Sequence, residues 1–257
     1  MAKTVFITGA SSGIGASLAE QYAQRGDNVV LMARRLDRLT SLCEKLKPGA
    51  TLAVQGDVRS KEDVTSALAA AEQKFGAIDI VIANAGFAMT GRFDKLTVED
   101  YRRQFETNVF GVMHTIYEAL PYLKKSKGRL AVMGSVCGHL SAPTASPYSM
   151  SKFAVRALCE ALWIEWGSSG VGVTLISPGF VESEIRHIDK QGNVNAEIKD
   201  PVPAWLVMPT EKAARQMIKA IDRRCAEAVI TNHGKLFVFL SRHLPWLLPR
   251  AARLLGQ

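Results

Sequence analysis

The chain has 257 residues, 47% apolar, 7% aromatic and 22% charged, with 32 Lys plus Arg against 24 Asp plus Glu and a net charge of +8. That length and apolar share suit one large domain or two small ones burying a core, and exclude disorder, collagen-like repeats and a disulfide scaffold. The cysteines Cys43, Cys137, Cys159 and Cys225 are widely spaced without a CxxC pair, and the chain opens on a strand-like run with no signal segment, which points to a reducing, cytoplasmic compartment. The basic excess leaves nucleic acid, an acidic protein partner, an anionic membrane and simple solubility all open.

In chain order, short β-branched runs at residues 4–8, 28–32, 51–55, 78–83, 129–133 and 171–176 predict strands. Several are apolar throughout, as strands covered on both faces are. Between them, residues 13–25, 37–47, 61–75, 98–124 and 149–167 carry helical spacing. This alternation, with no repeat and no linker, predicts one α/β domain over residues 1–233: a doubly wound parallel sheet in three α/β/α layers. Residues 180–208 break the pattern and read as a substrate-binding loop. Residues 234–257 are a basic, apolar C-terminal extension.

The run Thr8-Gly9-Ala10-Ser11-Ser12-Gly13-Ile14-Gly15 follows the first strand and opens the first helix. Glycines there allow a tight turn, close approach of a pyrophosphate, and exposed amides at a helix N-terminus that favours an anion. The spacing is G-x-x-x-G-x-G rather than G-x-G-x-x-G, and a turn with no ligand remains open at this point. Near the end of the second strand, an acid would accept the 2′-hydroxyl of NAD, and an Arg suits the 2′-phosphate of NADP. This chain has Ala33-Arg34-Arg35. The guanidinium forks of Arg34 and Arg35 argue for NADP(H), with the Ser11 hydroxyl as helper, against the plain alternative of two solvated arginines ahead of a helix. Asp37 lies within that helix and is expected to face solvent.

Tyr148 and Lys152 stand four apart on a predicted helix and share one face. A free phenol has a pKa of about 10, and a nearby ammonium lowers it, which suits Tyr148 as a general acid. By itself Tyr-x-x-x-Lys is common. Ser135, at the end of the fifth strand, lies at the carboxyl edge where parallel sheets bind ligands, and its hydroxyl can hold a substrate oxygen.

With these residues in place, the chain resembles the short-chain dehydrogenase/reductase family over nearly all of residues 3–233. The shared features run in order: Thr8 to Gly15, Asp57-Val58, Asn84-Ala85-Gly86, Asn108 in Thr107-Asn108-Val109-Phe110-Gly111, Ser135, Tyr148-Ser-Met-Ser-Lys152 and Ser177-Pro178-Gly179. The resemblance implies a Rossmann-like fold that binds NADP(H), with Gly9, Ser11, Ser12, Gly13, Ile14 and Gly15 around the phosphates. It implies that Asp57 and Val58 contact adenine, and that Asn84, Ala85 and Gly86 approach the ribose and support the sheet. Asn108, Ser135, Tyr148 and Lys152 would form a catalytic tetrad. In it Tyr148 protonates the carbonyl oxygen, Ser135 orients it, and Lys152 holds the nicotinamide ribose and lowers the Tyr148 pKa. Asn108 would support a water carrying protons to bulk; its plain alternative is a buried, satisfied Asn. Pro178, Gly179, Val181 and Ser183 would line the nicotinamide side, Ser183 standing where the family often has Thr. No metal is implied. The helix around Phe153–Trp166 is apolar on most sides and in this family commonly packs subunit against subunit, which gives a homodimer or homotetramer.

His139 reads as a loop histidine with a local hydrogen bond, and Cys137 as a small buried apolar residue. Phe87, Met89, Phe93, His139 and Trp205 make an apolar set of pocket candidates. In residues 234–257, Lys235, Arg242, Arg250 and Arg253 have no acidic neighbour, so this stretch holds half of the net charge of +8. Its apolar runs are far short of the ~20 residues needed to span a bilayer. Apolar residues, Trp246 and arginines fit a segment lying on an anionic membrane, while Pro245 and Pro249 favour docking on protein instead. The expected activity is NADPH-dependent reduction of a bulky, lipid- or steroid-like ketone, reversible as a secondary-alcohol dehydrogenase. The alternatives are a soluble 3-oxoacyl-(carrier protein)-type reductase and a non-catalytic NADP(H)-sensing protein. Nucleic acid is not an expected partner, because no basic helix or aromatic-interleaved patch accompanies the charge.

Overall fold

The computed structural model of the protein describes residues 2–46, 49–187 and 202–255. Among them seven strands form one parallel sheet: β1 (Thr4–Thr8), β2 (Asn28–Ala33), β3 (Thr51–Gln55), β4 (Ile80–Ala83), β5 (Arg129–Met133), β6 (Gly172–Ser177) and β7 (Glu227–Val229). Their order is β3-β2-β1-β4-β5-β6-β7. Side chains alternate across a strand, so neighbouring residues serve different cores. Val5, Ile7, Leu31 and Ile82 pack under α1 (Gly13–Gln24), α2 (Leu36–Lys45) and α7 (Thr210–Asp222). Phe6, Val30, Val81 and Val132 pack under α3 (Lys61–Phe75), α5 (Gly111–Ser126) and α6 (Ser146–Glu165). β1, β2, β4, β5 and β6 are covered on both faces, which is why several of the runs are apolar throughout.

The chain goes outward from β1 to β3 and then returns to β4 on the other side of β1. Connections leave the carboxyl ends of β1 and β4 toward opposite faces, and a cleft opens there. The Thr8 hydroxyl stitches its floor by accepting from the Asn84 and Ala85 amides, both at 3.1 Å.

Four elements differ from the sequence pattern. The ladder of β4 starts at Ile80, because Asp79 is used to lock the sheet edge: its carboxylate accepts from the Thr4 amide at 2.8 Å. The predicted helix over 98–124 is broken into α4 (Val98–Phe105), a π turn over Glu106–Phe110, and α5. Such turns insert one residue into a helix and concentrate at functional sites; this one carries Asn108. α6 starts at Ser146, ahead of the predicted 149, with Pro147 in its first turn, where the missing N–H costs nothing. β7 is only three half-buried residues and has no alternation to detect.

Past β7, Thr231 caps α8 (Asn232–His243) by accepting from the Gly234 amide at 3.1 Å. Pro245 separates α8 from α9 (Leu247–Leu255), and Pro249 falls in the first turn of α9. α8 is docked on the catalytic side of the sheet: Val238 is buried, Ser241 Oγ donates to the His139 carbonyl at 2.8 Å, and Arg242 pairs with Glu227 of β7 at 2.6 Å. No helix among the described residues is long and apolar enough to cross a membrane.

Candidate active site

The cleft at the carboxyl edge has a volume of about 690 Å³, within the ordinary range for a small-molecule site. Its first wall is the glycine loop. Gly9 sits at φ +66°, and a Cβ there would lie 2.7 Å from Ala85 Cα. A Cβ on Gly15 would run into the Gly9 carbonyl oxygen. Only glycine lets these two backbones touch, and the contact leaves the N-terminus of α1, which no side chain caps, facing the cleft. Gly13 faces Ser183 across the mouth, and Ile14 is partly buried, lining the cleft while packing against the core. A glycine cradle at an uncapped helix N-terminus fits a dinucleotide pyrophosphate.

Beside it, Arg35 donates from Nε and Nη2 to Ser11 Oγ at 3.3 and 3.0 Å, and from Nη2 to Ser12 Oγ at 3.0 Å. Arg34 is exposed on the rim. Arg35 is therefore the arginine that the fold turns toward the serines. Asp57 accepts from the Arg59 amide and, through Oδ2, from its Nη2 at 2.6 Å; burial works to raise its pKa, but the Arg59 hydrogen bonds hold the carboxyl below the usual range. Val58 is buried against Gly111. Asn84 Nδ2 donates to the Thr8 and Gly9 carbonyls at 2.9 and 3.1 Å, so this side chain ties the glycine loop to the end of β4.

The second wall holds the titratable groups Tyr148 and Lys152. Ser135, Tyr148 and Lys152 all line the cleft. Ser135 stands two residues past the end of β5, its Oγ accepting from the Cys137 amide at 3.1 Å. Lys152 Nζ donates to the Met133 carbonyl at 2.6 Å and stands 5.7 Å from the centre of the Tyr148 ring. Burial pushes the Tyr148 phenol above its ordinary value, Cys137 adds to this, and the Ser135 hydrogen bond opposes it. That is the reverse of the direction the resemblance implied for Lys152: desolvation of the phenol sets the shift, and the Lys152 charge is not among its causes. Burial brings Lys152 down to about 8. The thiol of Cys137 is likewise raised by burial, which keeps it protonated.

Asn108 is fully buried, and both ends of its amide are hydrogen-bonded to protein. Oδ1 accepts from the Phe87 amide at 3.1 Å, while Nδ2 donates to the Phe87 carbonyl at 3.0 Å and to Ser151 Oγ at 3.2 Å. Ser151 in turn donates to the Tyr148 carbonyl at 2.7 Å. Asn108 thus pins the loop after β4 to the helix that carries Tyr148.

The third wall is the segment after β6. The Pro178 carbonyl accepts from the Val136 amide at 2.9 Å, tying it to the Ser135 loop. Gly179 lies against Thr231 and His233, and the Phe180 amide donates to His233 Nε2 at 3.0 Å. Val181 pairs with Met208, joining the two ends of the 180–208 loop; residues 188–201 of that loop lie outside the described residues. Ser183 accepts from the Ile185 amide at 3.3 Å. Met89 is buried, whereas Phe93 and Trp205 are exposed at 79% and 82%. His139 is buried and bonds Ser177 at 3.2 Å and Glu227 at 2.7 Å; the carboxylate can only accept, so the proton is on Nε2. Burial works to raise Glu227, yet hydrogen bonds from His139 and Arg242 bring it down to about 2.

Ser151, Glu184, Arg38 and Arg59 belong to this neighbourhood without having been singled out from sequence. Ser151 sits inside the Tyr-to-Lys motif, so its place was available; the others meet their partners through folding, Glu184 reaching Arg35 across 149 positions.

Fold and cleft together define a dinucleotide-binding α/β protein with an oxidoreductase-type site. Residues 3–193 match the short chain dehydrogenase family, and the chain belongs to that family of oxidoreductases, which act on CH–OH and C=O groups with nicotinamide cofactors. It is 33% identical over 231 residues to 11-beta-hydroxysteroid dehydrogenase A of Sesamum indicum, a match covering 86% of this chain and 66% of that protein. The chain thus spans about two thirds of that relative's length. A short chain dehydrogenase/reductase from Burkholderia phymatum in complex with NAD superimposes with a TM-score of 0.84 at 24% identity, covering 94% of this chain and 93% of that one, and shares the fold. A short-chain dehydrogenase from Sphingobium yanoikuyae in complex with NADPH gives 0.76 at 29% identity, covering 90% and 89%.

Proposed function

We propose that the protein is an NADP(H)-dependent carbonyl reductase, reversible as a secondary-alcohol dehydrogenase, acting on a bulky apolar ketone of lipid or steroid type. The observation that carries the cofactor choice is the Arg35 fork on Ser11 and Ser12, a ready-made donor cluster for a 2′-phosphate. The steroid class draws support from the hydroxysteroid dehydrogenase relative and from the apolar residues Phe87, Val181 and Ile185 that line the cleft.

When bound, the nicotinamide supplies or takes the hydride. Ser135 holds the substrate oxygen, and Tyr148, whose raised pKa keeps the proton on the phenol, delivers it to that oxygen. Lys152 holds the ribose of the nicotinamide half, and Asn108 keeps the Phe87 backbone and the Tyr148 helix in register. Arg34 and Arg35 take the 2′-phosphate. Ketones spanning small, steroid, retinoid and long-chain acyl sizes, run with NADPH and NADH, test the reading: NADPH-dependent turnover of the large apolar ketones is expected. Best turnover of small ketones, or equal rates with NADH, would overturn it. Arg35→Ala should lower the NADPH-over-NADH ratio of kcat/KM by about tenfold or more, the loss of a charge-assisted contact.

Residues 234–257 extend this reading. α8 and α9 expose Leu236, Phe239, Trp246 and Leu254 beside Lys235, Arg250 and Arg253, with no acid in the stretch. Aromatic, aliphatic and cationic groups together suit an anionic lipid surface. Truncation after His233 is a poor test, because it also removes Ser241 and Arg242 from the His139 and Glu227 contacts. Trp246→Ser with Leu254→Ser leaves those in place, and should cut co-sedimentation with phosphatidylserine vesicles several-fold while ketone turnover in solution persists. Equal, negligible pelleting of both proteins would remove the membrane assignment.

A further inference from the structure

Glu184 follows Ser183 directly and opens a one-turn helix, Glu184–His187, at the rim of the cofactor cleft. Its Oε2 lies 3.3 Å from both Nη1 and Nη2 of Arg35, and its Oε1 lies 2.8 Å from Nη1 of Arg38. The same Arg35 Nη2 donates to Ser11 and Ser12 at 3.0 Å. One guanidinium is thus shared between the hydroxyl pair and a carboxylate, and Arg38, the next cation on the same helix, is held by that carboxylate too.

We propose that Glu184 is a specificity determinant of the cofactor site, whose carboxylate engages Arg35 and Arg38 and so counts against a 2′-phosphate. This rests on the reading that Arg35 and Ser11 receive that phosphate. A guanidinium offers five N–H donors in a fixed fork, and Glu184 draws on those of both terminal nitrogens. An arriving phosphate meets guanidinium groups whose charge one carboxylate partly offsets, with that carboxylate on the other side. NAD(H), which places an uncharged hydroxyl there, meets no such repulsion. Burial works to raise the Glu184 carboxyl, but hydrogen bonds from Arg38 and Ser12 and the charges of Arg38 and Arg35 hold it below the ordinary range, so it is anionic at neutral pH. Two charges on a phosphate against one carboxylate at a few ångströms, in the high effective dielectric of a rim position, amount to about a tenfold effect on affinity.

The test is fluorescence titration of the full chain with NADP⁺ and NAD⁺, using wild type, Glu184→Gln, Glu184→Ala and Arg35→Ala, at 50 and 500 mM salt. Both Glu184 variants are expected to tighten NADP⁺ by about tenfold, with NAD⁺ changed less than about twofold and the gain shrinking at high salt. Glu184 is about one-third exposed, so neither variant threatens the core. An unchanged ratio of the two dissociation constants, or a shift toward NAD⁺, would overturn the assignment, the second making Glu184 a strut that aims Arg35. The two readings fail separately. A ratio unmoved by Arg35→Ala removes the phosphate reading of Arg35 while a Glu184 shift still stands; a ratio moved by Arg35→Ala and not by the Glu184 variants removes this proposal alone.

Discussion

Tyr148→Phe is expected to lower kcat by about a thousandfold while leaving the dissociation constant for NADPH within about twofold. The substitution removes one oxygen and keeps the ring, so the packing beside Lys152 and the start of α6 survive. What disappears is the phenol hydroxyl, which lines the cleft and keeps a transferable proton at neutral pH. Single-turnover reduction under saturating cofactor reads the loss, and NADPH fluorescence reads the binding. Retention of more than about a tenth of the rate would take the proton from Tyr148 and hand it to another group.

Lys152→Met is expected to inactivate the protein and stabilise it. Burial lowers Lys152 from its ordinary 10.5 to about 8, so between those values the unfolded chain binds a proton that the native state has shed. Stability therefore rises with pH from about 8 to 10.5, and below about 8 the full cost of the buried ammonium is present. A methionine of similar length fills the same channel without charge, at the loss of the hydrogen bond to the Met133 carbonyl. The balance is about 2 kcal/mol in favour of the variant at pH 7. Urea denaturation at pH 7 and pH 10 checks both size and sign, since the two curves should converge at the higher pH. A variant less stable than wild type at pH 7 would mean that the ammonium's hydrogen bond outweighs its desolvation. Activity falls in either case if Lys152 holds the ribose, with the KM for NADPH rising more than a packing change would cause.

Those two residues show how legible the site was. Tyr148 and Lys152 were found by spacing because they lie on one helix, where four positions make one face whatever surrounds it. The direction of the Tyr148 shift was not found, because desolvation depends on Cys137, Ser135 and the depth of the cleft, none of which a helical spacing contains. Ser135 was legible as the residue ending an apolar run. The hydrogen bond behind it, from the Val136 amide to the Pro178 carbonyl, joins the segments that follow β5 and β6, strands that are neighbours only in the sheet. The stretch over 98–124 carries helical spacing through its full length, which gives no sign of the π turn that divides α4 from α5 and holds the buried Asn108.

Strand and helix order, the glycine loop and the motif residues follow from local pattern: apolar period, turn chemistry and charge are properties of a few consecutive residues, and a doubly wound sheet is the arrangement that buries them all. Which arginine turns to the serines, that Glu184 stands against it, that Asn108 is spent on Phe87 and Ser151, and that α8 holds the His139 loop through Ser241 and Arg242 were decided by packing. These contacts join residues tens to more than a hundred positions apart, and their energies depend on distance and burial, which exist only once the sheet has brought its carboxyl ends together.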